Sequence, residues 1–257
     1  MEAKPTLRER IAPLFEGLGG EPTVIVCGAS ALLIISHYQG SAGFFRSLFG
    51  ARFDQHPWSS TFGHLWWFFA SVMLYLVMPV ILALATRGSF NERYGFQLGD
   101  WRAGLKITAL FLLVMLPATY VASKLDSFKG MYPLAGNAAY LENIGKGQTT
   151  VSWKLFLTYE AAYFSYFIAW EFLFRGWMTH GIAPIWGRGP AILLQVMPFA
   201  VMHLGKAELE ALGSIIAGVA LGILSLRTRS FWYGAFIHGV VALWMDWLSV
   251  SRPLLGS

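Results

Sequence analysis

The chain has 257 residues, of which 56% are hydrophobic and only 13% charged, with a formal net charge of +5. Soluble domains carry roughly 25% charged residues, so this composition excludes an ordinary soluble globule and points to a membrane protein. The single cysteine, Cys27, excludes an intrachain disulfide framework and a cysteine-based metal cage; the basic balance, spread over short loops, suits lipid headgroups and argues against nucleic acid as a partner.

Residues 1–22 are polar and charged and carry no pattern of a cleavable signal peptide. Seven apolar runs follow. The first is Thr23–Tyr38, with Cys27 expected to pack as a small apolar residue. Residues 39–60, with Phe44, Phe45, Phe49 and Trp58, read as an interfacial or re-entrant helix. The second run, Thr61–Thr86, is long and contains Pro79, which predicts a kinked or tilted span. Its Trp66–Phe69 cluster is expected to face lipid or pack, and His37, His56, His64 and His180 to lie at span ends or in loops. Segment 87–106 mixes charges with aromatics and reads as a loop leading amphipathically into the third run, Ile107–Ser123.

Segment 124–153 is the longest polar stretch and reads as a surface loop. The fourth run is Leu155–Gly181, the fifth Pro190–Leu204, the sixth Ala211–Leu226 and the seventh Phe231–Val250. Gly218 and Gly222 form a G-x-x-x-G step that lets a neighbouring helix approach closely. A span needs about 20 residues, so the short runs must extend into their flanks. The expected fold is an all-α polytopic transmembrane helix bundle of about seven spans, six to eight. Three regions are expected: a polar segment 1–22, N-terminal spans and loops 23–150, and a core of spans 151–257 that carries the chemistry.

With the N-terminus on the cytoplasmic side, Lys4, Arg8, Arg10, Arg87, Arg93, Arg102, Arg188, Arg227 and Arg229 lie inside. Arg46, Arg52, Lys124, Lys129, Lys146, Lys154, Lys206 and Arg252 then lie outside. The positive-inside rule therefore separates the two orientations only slightly.

Charge inside the runs is the informative signal. Five of the seven contain no Asp, Glu, Lys or Arg. The fourth holds Glu160, Glu171 and Arg175, the seventh holds Asp246 with His238 eight residues before it, and His203 ends the fifth. Glu208 and Glu210 sit at the mouth of the sixth. An ionisable group at bilayer depth is costly, so such a concentration marks a site. Glu171 and Arg175 are four apart and share a helix face; Glu160 lies on the same stripe, three turns earlier. Counted from the 183–188 turn, Glu171 lies roughly 18 Å and His203 roughly 22 Å into the bilayer; from the 227–230 turn, His238 lies roughly 12 Å in. One acid and two histidines thus fall at comparable depth on three helices.

A carboxylate with two imidazoles can hydrolyse a peptide bond. One group takes a proton from water, and another orients that water, protonates the leaving amine or stabilises the oxyanion. The same Glu171, His203 and His238 are also the set that a zinc ion would require, drawn from three helices.

The pattern resembles the CPBP (Abi, CAAX-processing) intramembrane proteases over roughly Tyr159–Leu248. Glu171-Phe-Leu-Phe-Arg175-Gly176 is similar to the first motif, Phe199-Ala-Val-Met-His203 to the second, and His238 stands at the third. The resemblance implies a multi-helix membrane endopeptidase whose water is activated by glutamate and histidine, through either a glutamate-based or a metal-dependent mechanism. Glu171, His203 and His238 would be catalytic. Arg175, Phe199, Trp170, Glu160, Glu210 and Asp246 would support them.

Two positions depart from the family pattern. Trp170 stands where the first of two paired glutamates, the usual water-activating base, is expected, giving a W-E-F-x-F-R-G variant. Ala242 replaces the polar residue that often follows the third-motif histidine by four. The implied substrate is a membrane-embedded or lipid-modified protein segment, and the implied location is a multi-pass protein of a bacterial inner membrane. The alternative is a non-catalytic pseudoprotease acting as a membrane scaffold or immunity factor. A proton-coupled transporter is disfavoured by the lack of an inverted repeat.

Overall fold

The structure is a computed structural model that describes residues 19–56, 58–84, 90–137, 140–145 and 148–255. Most of the polar N-terminal segment, and Lys4, Arg8, Arg10, Arg87 and Lys146 of the charge tally, lie outside the described residues. Among the described residues, five helices are long and apolar enough to cross a membrane: Gly20–Phe53, Ser59–Leu84, Trp101–Ala122, Glu208–Thr228 and Trp232–Arg252. The chain is an integral membrane protein with an all-α bundle.

The first of these is divided. α1 (Gly20–Gln39) ends at Gly40, and α2 (Ala42–Phe53) restarts with Ser41, whose hydroxyl accepts from the Phe44 N–H at 3.1 Å. α2 is the helix expected within residues 39–60, and no residue of it is buried. α3 (Ser59–Leu84) widens into a π-helical turn at Met73–Val77, just before Pro79. Proline has no N–H to donate to the preceding turn, and the widened register absorbs that loss. The aromatic cluster splits: Phe68 is buried, whereas Phe69 is exposed.

The stretch between α3 and the next span has more structure than a loop. After α4 (Phe90–Arg93), residues 94–100 are stitched to the turn near residue 230. The Phe231 N–H donates to Gly95 O at 3.1 Å, the Trp232 indole to Phe96 O at 2.8 Å, and the Tyr233 hydroxyl to Leu98 O at 2.7 Å. Gly99 has φ +54°, and a Cβ there would fall 1.9 Å from Thr228 O, so only glycine fits. Arg93 pairs with Glu21 at the start of α1, which ties this segment to the first span.

α5 (Trp101–Ala122) is capped by Asp100, which accepts from the Ala103 N–H at 3.2 Å and from Arg227 at 3.0 Å. The Ala103 N–H first, and Arg227 second, hold the Asp100 carboxyl below its ordinary range. A carboxylate with a lowered folded-state value stabilises the fold above its unfolded value and loses that contribution as pH falls through the folded value. Asp100→Ala is therefore expected to lower the thermal midpoint in detergent at neutral pH. The gap from wild type is expected to narrow as pH drops below about 4. An equal gap at every pH would contradict this assignment.

Residues 123–152 correct the surface-loop expectation. They contain α6 (Asp126–Lys129) and an antiparallel hairpin of β1 (Leu141–Gly145) and β2 (Gln148–Val151), and they bury Phe128, Tyr132 and Tyr140 in the bundle. The polar residues of the stretch hid these aromatic anchors.

The centre of the molecule is the fourth apolar run. α7 (Trp153–Glu171) continues through a π-helical segment, Phe172–His180, into α8 (Gly181–Trp186). Every residue from 169 to 182 is buried. α3 and α11 (Trp232–Leu255) pack along α7, while α9 (Arg188–Val201) and α10 (Glu208–Thr228) pack on the π-helical segment. The G-x-x-x-G expectation holds at the α9–α10 contact. A Cβ on Gly218 would lie 3.1 Å from Val196 and one on Gly222 3.1 Å from Ile192, and the Gln195 amide donates to Gly218 O at 2.8 Å.

Two smaller expectations fail. His180 is not interfacial: it is 7% exposed and sits 3.0 Å from the Ser225 hydroxyl, because the π-helical segment runs through the core. Cys27 is exposed on α1, where it takes no part in the core.

Candidate active site

Glu171 is the last residue of α7 and Arg175 lies one turn into the π-helical segment. Arg175 donates to Glu171 Oε1 at 2.9 Å, and both side chains are fully buried. The ring nitrogen Nδ1 of His238, on α11, lies 3.0 Å from the same oxygen. Oε1 already accepts from Arg175, so Nδ1 faces it as a second donor and the His238 Nε2 lone pair is left free. Glu171 Oε1 thus receives two donors, whereas Oε2 has no partner among the described residues.

Oε2 lies against Gly234, one helical turn before His238. A Cβ at Gly234 would stand 2.7 Å from that oxygen. Gly234 is a site residue that the sequence reading missed; the available signal was a glycine inside an apolar helix, four residues before a motif histidine. Gly234→Ala is expected to push the carboxylate off His238. The overpacking costs about 1–3 kcal/mol, and the misplacement lowers peptide cleavage by up to about 10²-fold. Full activity with unchanged unfolding would show that Glu171 has room to move.

The second motif is held by Phe199. Its ring lies 4.0 Å from the Arg175 guanidinium carbon, a cation–π contact that covers the face of the buried charge. Its carbonyl accepts from His203 Nδ1 at 2.7 Å, which leaves His203 Nε2 free. The F-x-x-x-H spacing therefore places one residue under the arginine and orients the imidazole one turn on. The His203 and His238 rings stand 6.4 Å apart and nearly parallel, at 10°.

Both histidines line an apolar cavity of about 560 Å³ that extends between α5, α7, α10 and α11. Trp170, Phe199, Lys206 and Glu210 also line it, but Glu171 and Arg175 do not. His238 therefore stands between the buried acid and the cavity. Trp170 packs its ring on His203 at 5.9 Å and on Phe199 at 5.8 Å.

The remaining candidates fall into two other groups. Glu210 accepts from the Tyr132 hydroxyl at 2.7 Å through both oxygens, with Lys206 4.0 Å away. Burial pushes the Lys206 ammonium below the usual lysine range, against the pull of Glu210 and Asp246. Glu160 and Asp246 are buried together between α7 and α11, and the Tyr140 hydroxyl donates to Asp246 at 3.1 Å. Neither borders the cavity, and along the helices each stands more than about 10 Å from the histidine–acid centre.

Among the described residues no three His, Cys, Asp or Glu side chains are grouped to hold a metal ion, and Glu171 Oε1 is already engaged by Arg175 and His238.

In this helical membrane bundle an acid–arginine pair stands behind one imidazole, and a second imidazole stands 6.4 Å from the first on the wall of the same apolar cavity. Residues 152–244 match the family model described as type II CAAX prenyl endopeptidase Rce1-like. The matched stretch runs from the end of β2 into α11 and contains Glu171, Arg175, Phe199, His203 and His238. It bears out the CPBP resemblance read from the three motifs. No curated protein and no solved structure matches the chain.

Proposed function

We propose that the protein hydrolyses a peptide bond of a membrane-embedded or lipid-modified protein segment, with His238 as the general base and residues 151–257 as the catalytic core. The observation that carries this reading is the 3.0 Å contact between His238 Nδ1 and a carboxylate that is itself locked by Arg175. That contact fixes the ring orientation and its tautomer, as an acid does for a catalytic histidine. Water held at the free Nε2 atoms of His238 and His203 loses a proton to His238 as its oxygen attacks the scissile carbonyl. The carbonyl pair moves onto oxygen, the tetrahedral species collapses, and His238 returns the proton to the leaving amine.

Glu171 acts in this scheme through His238 and does not touch water, because it is fully buried and does not border the cavity. The apolar cavity wall suits a lipid-modified or transmembrane substrate, and the family description adds prenylated CAAX termini to that class. In a bacterial inner membrane the reaction would mature exported proteins or peptides.

The test uses the full chain reconstituted in liposomes with a farnesylated CAAX reporter peptide and a transmembrane-segment reporter. Cleavage of either by wild type and its loss in His238→Ala is expected; no cleavage of both by wild type overturns the reading. One observation favours a second reading, a non-catalytic scaffold or immunity factor. Among the described residues the one carboxylate on the cavity wall, Glu210, is engaged by Tyr132, and Trp170 and Ala242 replace two polar positions of the family pattern. On that reading His203→Ala and His238→Ala keep the cellular role intact.

A further inference from the structure

The proposed hydrolysis places a negative charge on the carbonyl oxygen, and that charge needs a donor beside the histidines. Both ring N–H groups are already engaged: that of His203 by Phe199 O, that of His238 by Glu171. Arg175 lies behind Glu171 and beneath Phe199, away from the cavity. Ala242, one turn beyond His238, has no polar group. Lys206 is engaged with the Tyr132 hydroxyl at 3.2 Å and with Glu210.

Trp170 remains. It borders the cavity, its ring stands 5.9 Å from that of His203, and the residue is 3% exposed. Its indole N–H has no partner among the described residues. Buried N–H donors are nearly always paired, so an orphan on a residue that borders a cavity marks a place where a ligand or water can supply the acceptor. An indole only donates, so this position cannot take a proton from water.

We infer that the Trp170 indole N–H is a catalytic donor that binds the oxyanion of the tetrahedral intermediate. The inference rests on the endopeptidase reading above. When the water oxygen bonds to the carbonyl carbon, the π pair moves to the carbonyl oxygen and the indole N–H stabilises it. When the C–N bond breaks, the pair returns and the N–H is released. The position that resembles a family base thus serves here as a hydrogen-bond donor, in a chain that also lacks a polar residue at 242.

The test replaces Trp170 with 3-benzothienylalanine, which keeps the bicyclic shape and exchanges the N–H for sulfur. With the reporter that wild type cleaves, kcat is expected to fall by about 10²- to 10³-fold, while KM and the thermal midpoint hold. In a second measurement on the wild-type protein labelled with ¹⁵N at the indoles, a peptide phosphonate analogue of that reporter is added. The Trp170 resonance, identified by its absence in Trp170→Phe, is expected to move downfield. Wild-type kcat in the benzothienyl protein, or no shift with phosphonate bound, overturns the inference while His238-dependent cleavage keeps the endopeptidase reading. An inactive wild type overturns both.

Discussion

His238→Ala is expected to lower kcat for reporter cleavage by about 10²- to 10⁴-fold, the range over which a positioned general base contributes. The protein is expected to stay folded, because the His238 side chain is 21% exposed on a cavity wall and its removal leaves the Arg175–Glu171 pair in place. Glu171→Gln is the sharper variant. The amide has the same shape, but it can present N–H to Nδ1 and turn the imidazole into the wrong tautomer. In serine-protease triads the equivalent acid-to-amide change costs about 10⁴ in kcat. A Glu171→Gln protein as active as wild type would show that the acid does not set the state of His238. Parallel losses in Glu171→Gln and His238→Ala, with no further loss in the double variant, would show that they act as one unit.

The second large effect is on stability. Arg175→Met leaves Glu171 as a fully buried charge with only His238 for a partner. Removing one member of a buried pair costs about 3–5 kcal/mol, because the other is left uncompensated. Unfolding of the purified protein in detergent by titrated denaturant reads this directly. The double variant Glu171→Gln/Arg175→Met carries no buried charge at this point and is expected to recover much of the loss, since replacing a whole buried pair by neutral groups is often close to neutral. It is expected to remain inactive. Equal stability of Arg175→Met and wild type would show that the ion pair and the Phe199 contact hold nothing together. The two outcomes separate the roles of the pair: Arg175 holds Glu171 in place, and Glu171 keeps His238 in register.

Much of this arrangement is legible in the sequence because the bilayer makes charge expensive. Most apolar runs carry no formal charge at all, so Glu171, Arg175 and Asp246 stand out without any knowledge of the fold. The four-residue spacing fixes that Glu171 and Arg175 share a face, and turn counting places three helices' polar groups at comparable depth. The all-α class follows from the same physics, since a spanning segment must satisfy its backbone internally.

Other features depend on contacts between segments distant in sequence. Only the packed bundle puts His238 between Glu171 and the cavity, and so makes the acid an orienting group and the imidazole the one that meets substrate. Helical period cannot separate Glu160 from Glu171, which share a stripe; the tertiary fold sends one to Asp246 and Tyr140 and the other to the histidines. Gly234 matters because a carboxylate from another helix occupies the space of its missing side chain. The π-helical register at Phe172–His180, the burial of His180 and the anchoring of Tyr132 and Tyr140 are likewise decided by neighbours, since local composition is the same whether a polar residue meets solvent or a partner. The sequence by itself therefore determined that the chain spans a membrane, which helices carry charge and which residues share a face. The tertiary structure decided which of those charges meet, which of them reach the cavity, and hence which atom is free to take a proton.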